Sequence, residues 1–163
     1  MIMKAKLSLN TCYMAGLARR RSEKNMICIV TGMDAIELRF VEIAVKELGI
    51  DPKKVVIEEQ EDRKRKVYFY HSRVARQLAE IQSREDRLFR SPNEFSRNYL
   101  SGMVDSIGRF SKGGIYMDGL TPQDEVMLAN LGIHTRNGRV SNISALIELA
   151  KRHSVLLAFQ NPV

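Results

Sequence analysis

Polar and apolar positions along this chain sort into an order of elements that runs twice. An apolar stretch beginning at Asn10 or Thr11 predicts a helix to residue 20, followed by a short strand over 26–31. Asp34 and Glu37 have capping-box spacing, opening a helix over 35–48. Its Ile36, Phe40, Ile43, Ala44 and Leu48 share one face, and Gly49 with Asp51-Pro52 ends it. Strands over 54–58 and 66–70 flank a charged tip at 59–65, which predicts a hairpin. A helix over 72–81 turns Val74, Leu78 and Ile81 inward. Ser91-Pro92-Asn93-Glu94 starts the order again, with Ser91 as cap and Pro92 at the first position of a helix over 92–106. A strand near 114–118 comes next, then a helix from Thr121-Pro122 to Leu131-Gly132. Segments 133–136 and 139–140 form a compact hairpin around Asn137-Gly138. A helix over 142–151 and an apolar tail, 155–159, helix or strand, complete the pattern.

Two short strings mark the repeat. Tyr13-Met14-Ala15-Gly16-Leu17 and Tyr99-Leu100-Ser101-Gly102-Met103 lie 86 residues apart in a chain of 163. Each sets an aromatic and large aliphatic residues around a small pair. The pairs Ala15-Gly16 and Ser101-Gly102 let two crossing helices bring their backbones together. A second echo, Glu47-Leu48-Gly49-Ile50 and Asn130-Leu131-Gly132-Ile133, recurs at an offset of 83. The two echoes predict similar halves, 1–90 and 91–163, that share one core.

The repeated strings resemble the LAGLIDADG family, best known for homing endonucleases. Leu100, Gly102, Asp105 and Gly108 of the second copy match the family name outright, while the first copy matches Ala15, Gly16 and Leu17 and then diverges. The resemblance implies an α+β fold of two α/β sandwich halves related by a pseudo-two-fold axis. Two motif helices would pack at the centre, and two curved antiparallel sheets would form a saddle over duplex DNA. The first half offers one strand between its motif helix and its second helix, where the family usually has two.

The family's chemistry depends on the eighth motif residue, a carboxylate that holds a divalent metal beside the scissile phosphates. Those positions carry Arg21 and Ile107, which cannot ligate Mg²⁺. No catalytic or metal-binding residue is therefore expected. Asp105 stands at the sixth position, where the resemblance suggests a helix-end or packing role. Glu23 and Asp118 are nearby carboxylates at non-matching positions. The resemblance points to double-stranded DNA binding without cleavage, as a regulator or a homing-endonuclease relic. Its alternatives are a Mg²⁺-dependent DNA endonuclease using displaced carboxylates, and an RNA-binding or splicing-assistance protein. Mg²⁺ is expected as a cofactor only in the endonuclease case.

Charge agrees with a polyanionic partner: 26 Lys and Arg against 19 Asp and Glu leave +7, with a pI near 9.6. Arg19-Arg20-Arg21 would set guanidinium groups at the centre of the saddle, or else complement the dipole of the first helix. Arg63, Lys64, Arg65 and Lys66 follow four acids in the hairpin tip, either meeting phosphate or pairing among themselves. Tyr68 and Tyr70 lie on one face of that strand, reading bases or covering core. Arg136 and Arg139 flank the Asn137-Gly138 turn, and Arg109 with Lys112 sits in a Gly-rich segment suited to gripping phosphate.

Other chemistries find no support. The chain has no GxxxxGK[ST] or GxSxG element, and His71, His134 and His153 lack metal-ligand spacing. Cys12 and Cys28 have no CxxC partner and are expected to be reduced, buried thiols. No apolar run approaches a membrane span, and the N-terminal region does not pattern as a signal peptide. The expectation is a cytoplasmic monomer with no membrane partner.

Overall fold

The computed structural model describes residues 7–19 and 23–159. Helix α1, Leu9–Leu17, starts at Ser8, whose hydroxyl accepts from the Thr11 amide. It ends three residues before the predicted end, where the Gln82 amide donates to the carbonyls of Ala15 and Ala18 and satisfies the buried last turn. Residues Thr11–Leu17 are all buried, so α1 is a core helix on every side rather than an amphipathic surface one.

Helix α5, Glu94–Ile107, crosses α1. Its cap is Asn93, in a reciprocal box with Ser96, and not Ser91. The Ser96 hydroxyl instead donates back to the Ser91 carbonyl. At the crossing the backbones meet through glycine. A Cβ on Gly16 would stand 2.1 Å from the Tyr99 carbonyl oxygen; one on Gly102 would stand 2.0 Å from that of Tyr13. Ala15 and Ser101 are fully buried beside them. The reciprocal contact is what the two small pairs predict.

Two antiparallel sheets flank this centre. Strands β1 (Met26–Thr31), β2 (Val56–Glu59) and β3 (Arg65–Tyr70) run in the order β1-β3-β2. Strands β4 (Gly108–Ser111), β5 (Gly114–Met117), β6 (Thr135–Arg136) and β7 (Arg139–Val140) run in the order β4-β5-β7-β6. Strand β4 follows α5 without a break and was not visible in the hydropathy pattern. The single strand expected between α1 and the next helix is β1.

The remaining helices pack around the crossing pair, and two of them, 34–42 and 72–83, also pack on β1. Helix α2 (Asp34–Glu42) continues as a π-helical turn, Ile43–Glu47, so 34–47 is not one regular α-helix. Asp34 is its first helical residue and Met33 stands at the cap without a side-chain bond. Helix α3 (Ser72–Ser83) leads into a short α4 (Glu85–Leu88), which the sequence did not announce. Then follow α6 (Pro122–Asn130), capped by Thr121 in a box with Asp124, α7 (Ile143–Ala150) and α8 (Val155–Phe159). The apolar tail is therefore helix. One core joins both sheets to the crossing helices, with Ile27, Ile29, Val67 and Phe69 from the first sheet and Ile115 and Met117 from the second.

Candidate nucleic-acid interface

Side chains alternate across a strand, so each sheet turns one face to its helices and one outward. On the second sheet the outward row is set by register: Arg109 opposite Tyr116, Tyr116 opposite Arg139, and Arg139 opposite Arg136. At roughly 4.8 Å between strands this row spans about 14 Å. The guanidinium carbons of Arg109 and Arg139 stand 4.6 Å and 6.0 Å from the Tyr116 ring centroid, within cation–π range. Arg109 is also bound to Asp118 Oδ2 at 2.7 Å. Among the described residues no carboxylate pairs with Arg136 or Arg139. Like charges directly opposite destabilise a sheet, so this pair favours an external anion. An open cleft of about 480 Å³ lies beside the row, lined in part by Tyr116, Arg136, Asn137 and Arg139. Lys112 is exposed in the turn from β4 to β5, where it and Gly113 take positive φ.

The first sheet's outward face differs. Along β3 it carries Lys66, Tyr68 and Tyr70, with Val30 and Cys28 from β1 and Val56 and Glu58 from β2 in register. The Tyr68 hydroxyl donates to Glu58, and that of Tyr70 to Glu23 at 2.7 Å. The bond to Glu23 pushes the Tyr70 phenol up to about 12, which keeps it a donor. Arg65 belongs to the opposite face, bound to Glu37 on α2 at 2.7 Å and to Asp34 at 3.6 Å. It therefore leaves the candidate surface, whereas Arg63 and Lys64 stay exposed at the tip.

The ends of the crossing helices are tied into the protein. Arg19 turns inward: its guanidinium reaches Asp124 Oδ2 at 2.5 Å, Glu85 Oε1 at 3.4 Å and the Tyr99 hydroxyl at 3.2 Å. An inward, ion-paired Arg19 is not a DNA contact, so the expectation for it is corrected. Arg20 and Arg21 lie outside the described residues. Burial, then the hydrogen bond shared with Asp124, raises the Glu85 carboxyl to about 8. Burial presses Asp124 the same way, but bonds from Glu85, the Thr121 amide and Arg19 outweigh it and hold Asp124 low. Asp124 Oδ1 is buried with no hydrogen-bond partner.

The end of α5 mirrors this arrangement with opposite charge. Asp105 accepts from the hydroxyls of Tyr13 and Ser154, each at 2.6 Å, and from the amides of Val155 and Leu156 at 3.0 and 2.9 Å. It caps α8 and anchors α1 to it. Arg39 lies over the Tyr13 ring, 3.7 Å from its centroid.

Solved structures of the homing endonuclease I-DmoI share this fold. A variant of it on nicked target DNA with manganese aligns at TM-score 0.62 and 14% identity, covering 91% of this chain and 98% of that one. I-DmoI with DNA and manganese aligns at 0.59 and 15%, over 88% and 97%. One of its mesophilic variants aligns at 0.60 and 13%, over 88% and 95%. This chain has the LAGLIDADG homing-endonuclease fold. No family model and no curated protein matches it in sequence.

A LAGLIDADG fold implies a metal at the ends of its motif helices, and the residues at the two matching positions, Arg21 and Ile107, offer it no oxygen ligand. Ile107 is a buried hydrocarbon, 6% exposed, with no donor atom. Arg21 is a cation by sequence. Both oxygens of Asp105 are committed to the four bonds above. Among the described residues no group of three His, Cys, Asp or Glu side chains converges. None of their helices is long and apolar enough to cross a membrane.

The sequence singles out Arg109, Arg136 and Arg139 one by one but not Tyr116, which the strand register sets between them. Its partner Arg139 is 23 positions away, and only the β5–β7 pairing brings them together.

Proposed function

We propose that this chain binds double-stranded DNA and does not cut it, with the outward row of the second sheet as its main phosphate and base contact. The observation that carries the reading is Arg109–Tyr116–Arg139–Arg136 in cross-strand register, with two of its arginines lacking a carboxylate partner among the described residues. Guanidinium forks suit phosphate oxygens and guanine edges. The relatives of this fold were solved on target DNA, which supports the same partner here. Exposed Lys112, Arg63 and Lys64 extend the basic surface. Absence of cleavage follows from the side chains at the metal positions, Arg21 and Ile107, and no metal cofactor is part of the proposal. The two halves, 1–90 and 91–163, are proposed as repeats that supply both motif helices from one chain, so a monomer presents the whole saddle.

The test is duplex affinity against salt. Each neutralised phosphate contributes about 0.9 to the log–log slope. Arg136→Ala with Arg139→Ala should weaken duplex binding about tenfold or more at low salt and lower the slope by nearly two. Duplex binding insensitive to salt, or untouched by the pair of substitutions, rejects the reading. Mg²⁺-dependent cleavage lost in Asp118→Asn would favour the endonuclease alternative instead.

A further inference from the structure

The hairpin turn between Arg136 and Arg139 carries a covalent chemistry of its own. We propose that Asn137 is a self-modifying site, whose side-chain amide converts to an acid and thereby weakens duplex binding by the second sheet. Asn137 is exposed with a φ of 53°, and Gly138 after it has no Cβ to hinder attack along the backbone. Among the described residues neither the Asn137 side chain nor the Gly138 amide has a hydrogen-bond partner. The Met117 amide holds the Gly138 carbonyl at 2.7 Å and leaves the nitrogen free. In the reaction the Gly138 nitrogen gives its proton to water and bonds to Cγ of Asn137. The Cγ–Nδ2 bond breaks, ammonia leaves and a cyclic imide remains. Water then opens the ring at either carbonyl, giving aspartate or isoaspartate.

The turn differs from every other asparagine in a described segment. Asn25 has a similar backbone, with φ 64°, but Met26 follows it and the His71 amide holds its carbonyl. The side chains of Asn10, Asn93, Asn98 and Asn142 are all in hydrogen bonds, and Leu131 follows Asn130. Attack requires the turn to open, and β6 and β7 hold it by only two residues each. Arg136 and Arg139 on either side favour the anionic nitrogen and the oxyanion of the attack. Asp118 and Glu125 border the other side of the turn and oppose it, although Asp118 is already bound to Arg109. The product sets a carboxylate in the cleft that Asn137 shares with Tyr116, Arg136 and Arg139. There it pairs with an arginine and repels phosphate. Aspartate tolerates positive φ as asparagine does, so the turn survives the change of charge. The reaction is independent of the duplex reading, and its effect on binding rests on that reading.

The experiment ages the full-length chain at neutral pH. Peptide mass mapping follows Asn137, an isoaspartyl methyltransferase labels isoaspartate, and fluorescence anisotropy follows affinity for a random duplex. Asn137 should convert well before Asn25, and duplex affinity should fall in step with it. Asn137→Asp starts with the acid in place and should bind duplex at least about fivefold more weakly at low salt, with a log–log slope smaller by about one. Asn137→Gln would have to close a larger ring, so it should hold its own starting affinity through ageing. Conversion of Asn137 no faster than that of Asn25 overturns the proposal. So does an Asp variant that binds as tightly as the parent, or a Gln variant that loses affinity as fast as the parent. Conversion in a chain that binds no duplex overturns the proposed function together with the control of it, and the mass map tells the two failures apart.

Discussion

The two crossing helices meet alike and end differently. At Gly16 and Gly102 each backbone fills the space where the other's Cβ would be. Less than one turn later the helices part company in chemistry. Arg19 follows Gly16 by three residues and Asp105 follows Gly102 by three, so a cation and an anion occupy equivalent places. Each is met by a tyrosine of the opposite helix: Tyr99 for Arg19, Tyr13 for Asp105. The difference teaches that the crossing is the conserved geometric requirement within this molecule, whereas the helix ends are free to change charge if new partners bury it. Arg19 draws Glu85 and Asp124 towards α1; Asp105 draws Ser154 and the first amides of α8 towards α5. Both ends act as structural anchors.

The largest effect belongs to the shared feature. Gly16→Ala or Gly102→Ala drives a methyl group against a backbone carbonyl at about 2 Å. Neither neighbour can turn away as a side chain would, so the cost exceeds the roughly 1–3 kcal/mol of ordinary overpacking. Each variant should lose its cooperative urea transition, seen by circular dichroism. Tolerance of one and not the other would break the symmetry of the contact.

That contact was legible because a small-small pair between large residues carries its meaning locally. The helix ends were not. Arg19 admitted a DNA role or a dipole role on sequence, since its true partners stand 66 and 105 positions away. Arg65 misled for the same reason: its partner Glu37 stands 28 positions away, and strand alternation turns it to the opposite face from Lys66. Strand β4 hid in Gly108–Ser111, four residues with no alternation, and is a strand only because β5 pairs with it. Ser91 against Asn93 as the cap shows the smaller error: both are good caps, and the choice rests on which one Ser96 can answer.

Removing the anion should cost more than removing the cation. Asp105→Ala leaves two hydroxyls and two amides without their buried acceptor, a loss of about 3–5 kcal/mol. Arg19→Met leaves Asp124 without its guanidinium, but Glu85 holds a proton near neutral pH and only one carboxylate is orphaned. Its cost should be about 2 kcal/mol. Urea midpoints at pH 7 give both numbers. Equal losses would mean that Glu85 is ionised and that the two ends are electrostatic mirror images.

The proton on Glu85 gives the finest distinction between the ends. Its folded carboxyl titrates near 8 against an unfolded value of 4.5. The native state therefore binds a proton that the unfolded chain has already released, and the stability this supplies is lost as pH rises through 8. Asp124 is shifted downward, so its contribution is lost only on acidification and is constant at higher pH. His153 is also held low by burial, with its change confined to acid pH. Buried Cys12, raised to about 12 from 9.0, acts with the same sign as Glu85 but mainly above pH 9. Between pH 7 and 8.5 the slope is thus chiefly that of Glu85. The thermal midpoint should fall on the order of a few degrees across this window. Glu85→Gln, whose amide donates at every pH, should flatten the fall. A midpoint that falls just as steeply in the Gln variant would place the titrating group elsewhere and return both helix ends to pH-independent anchors.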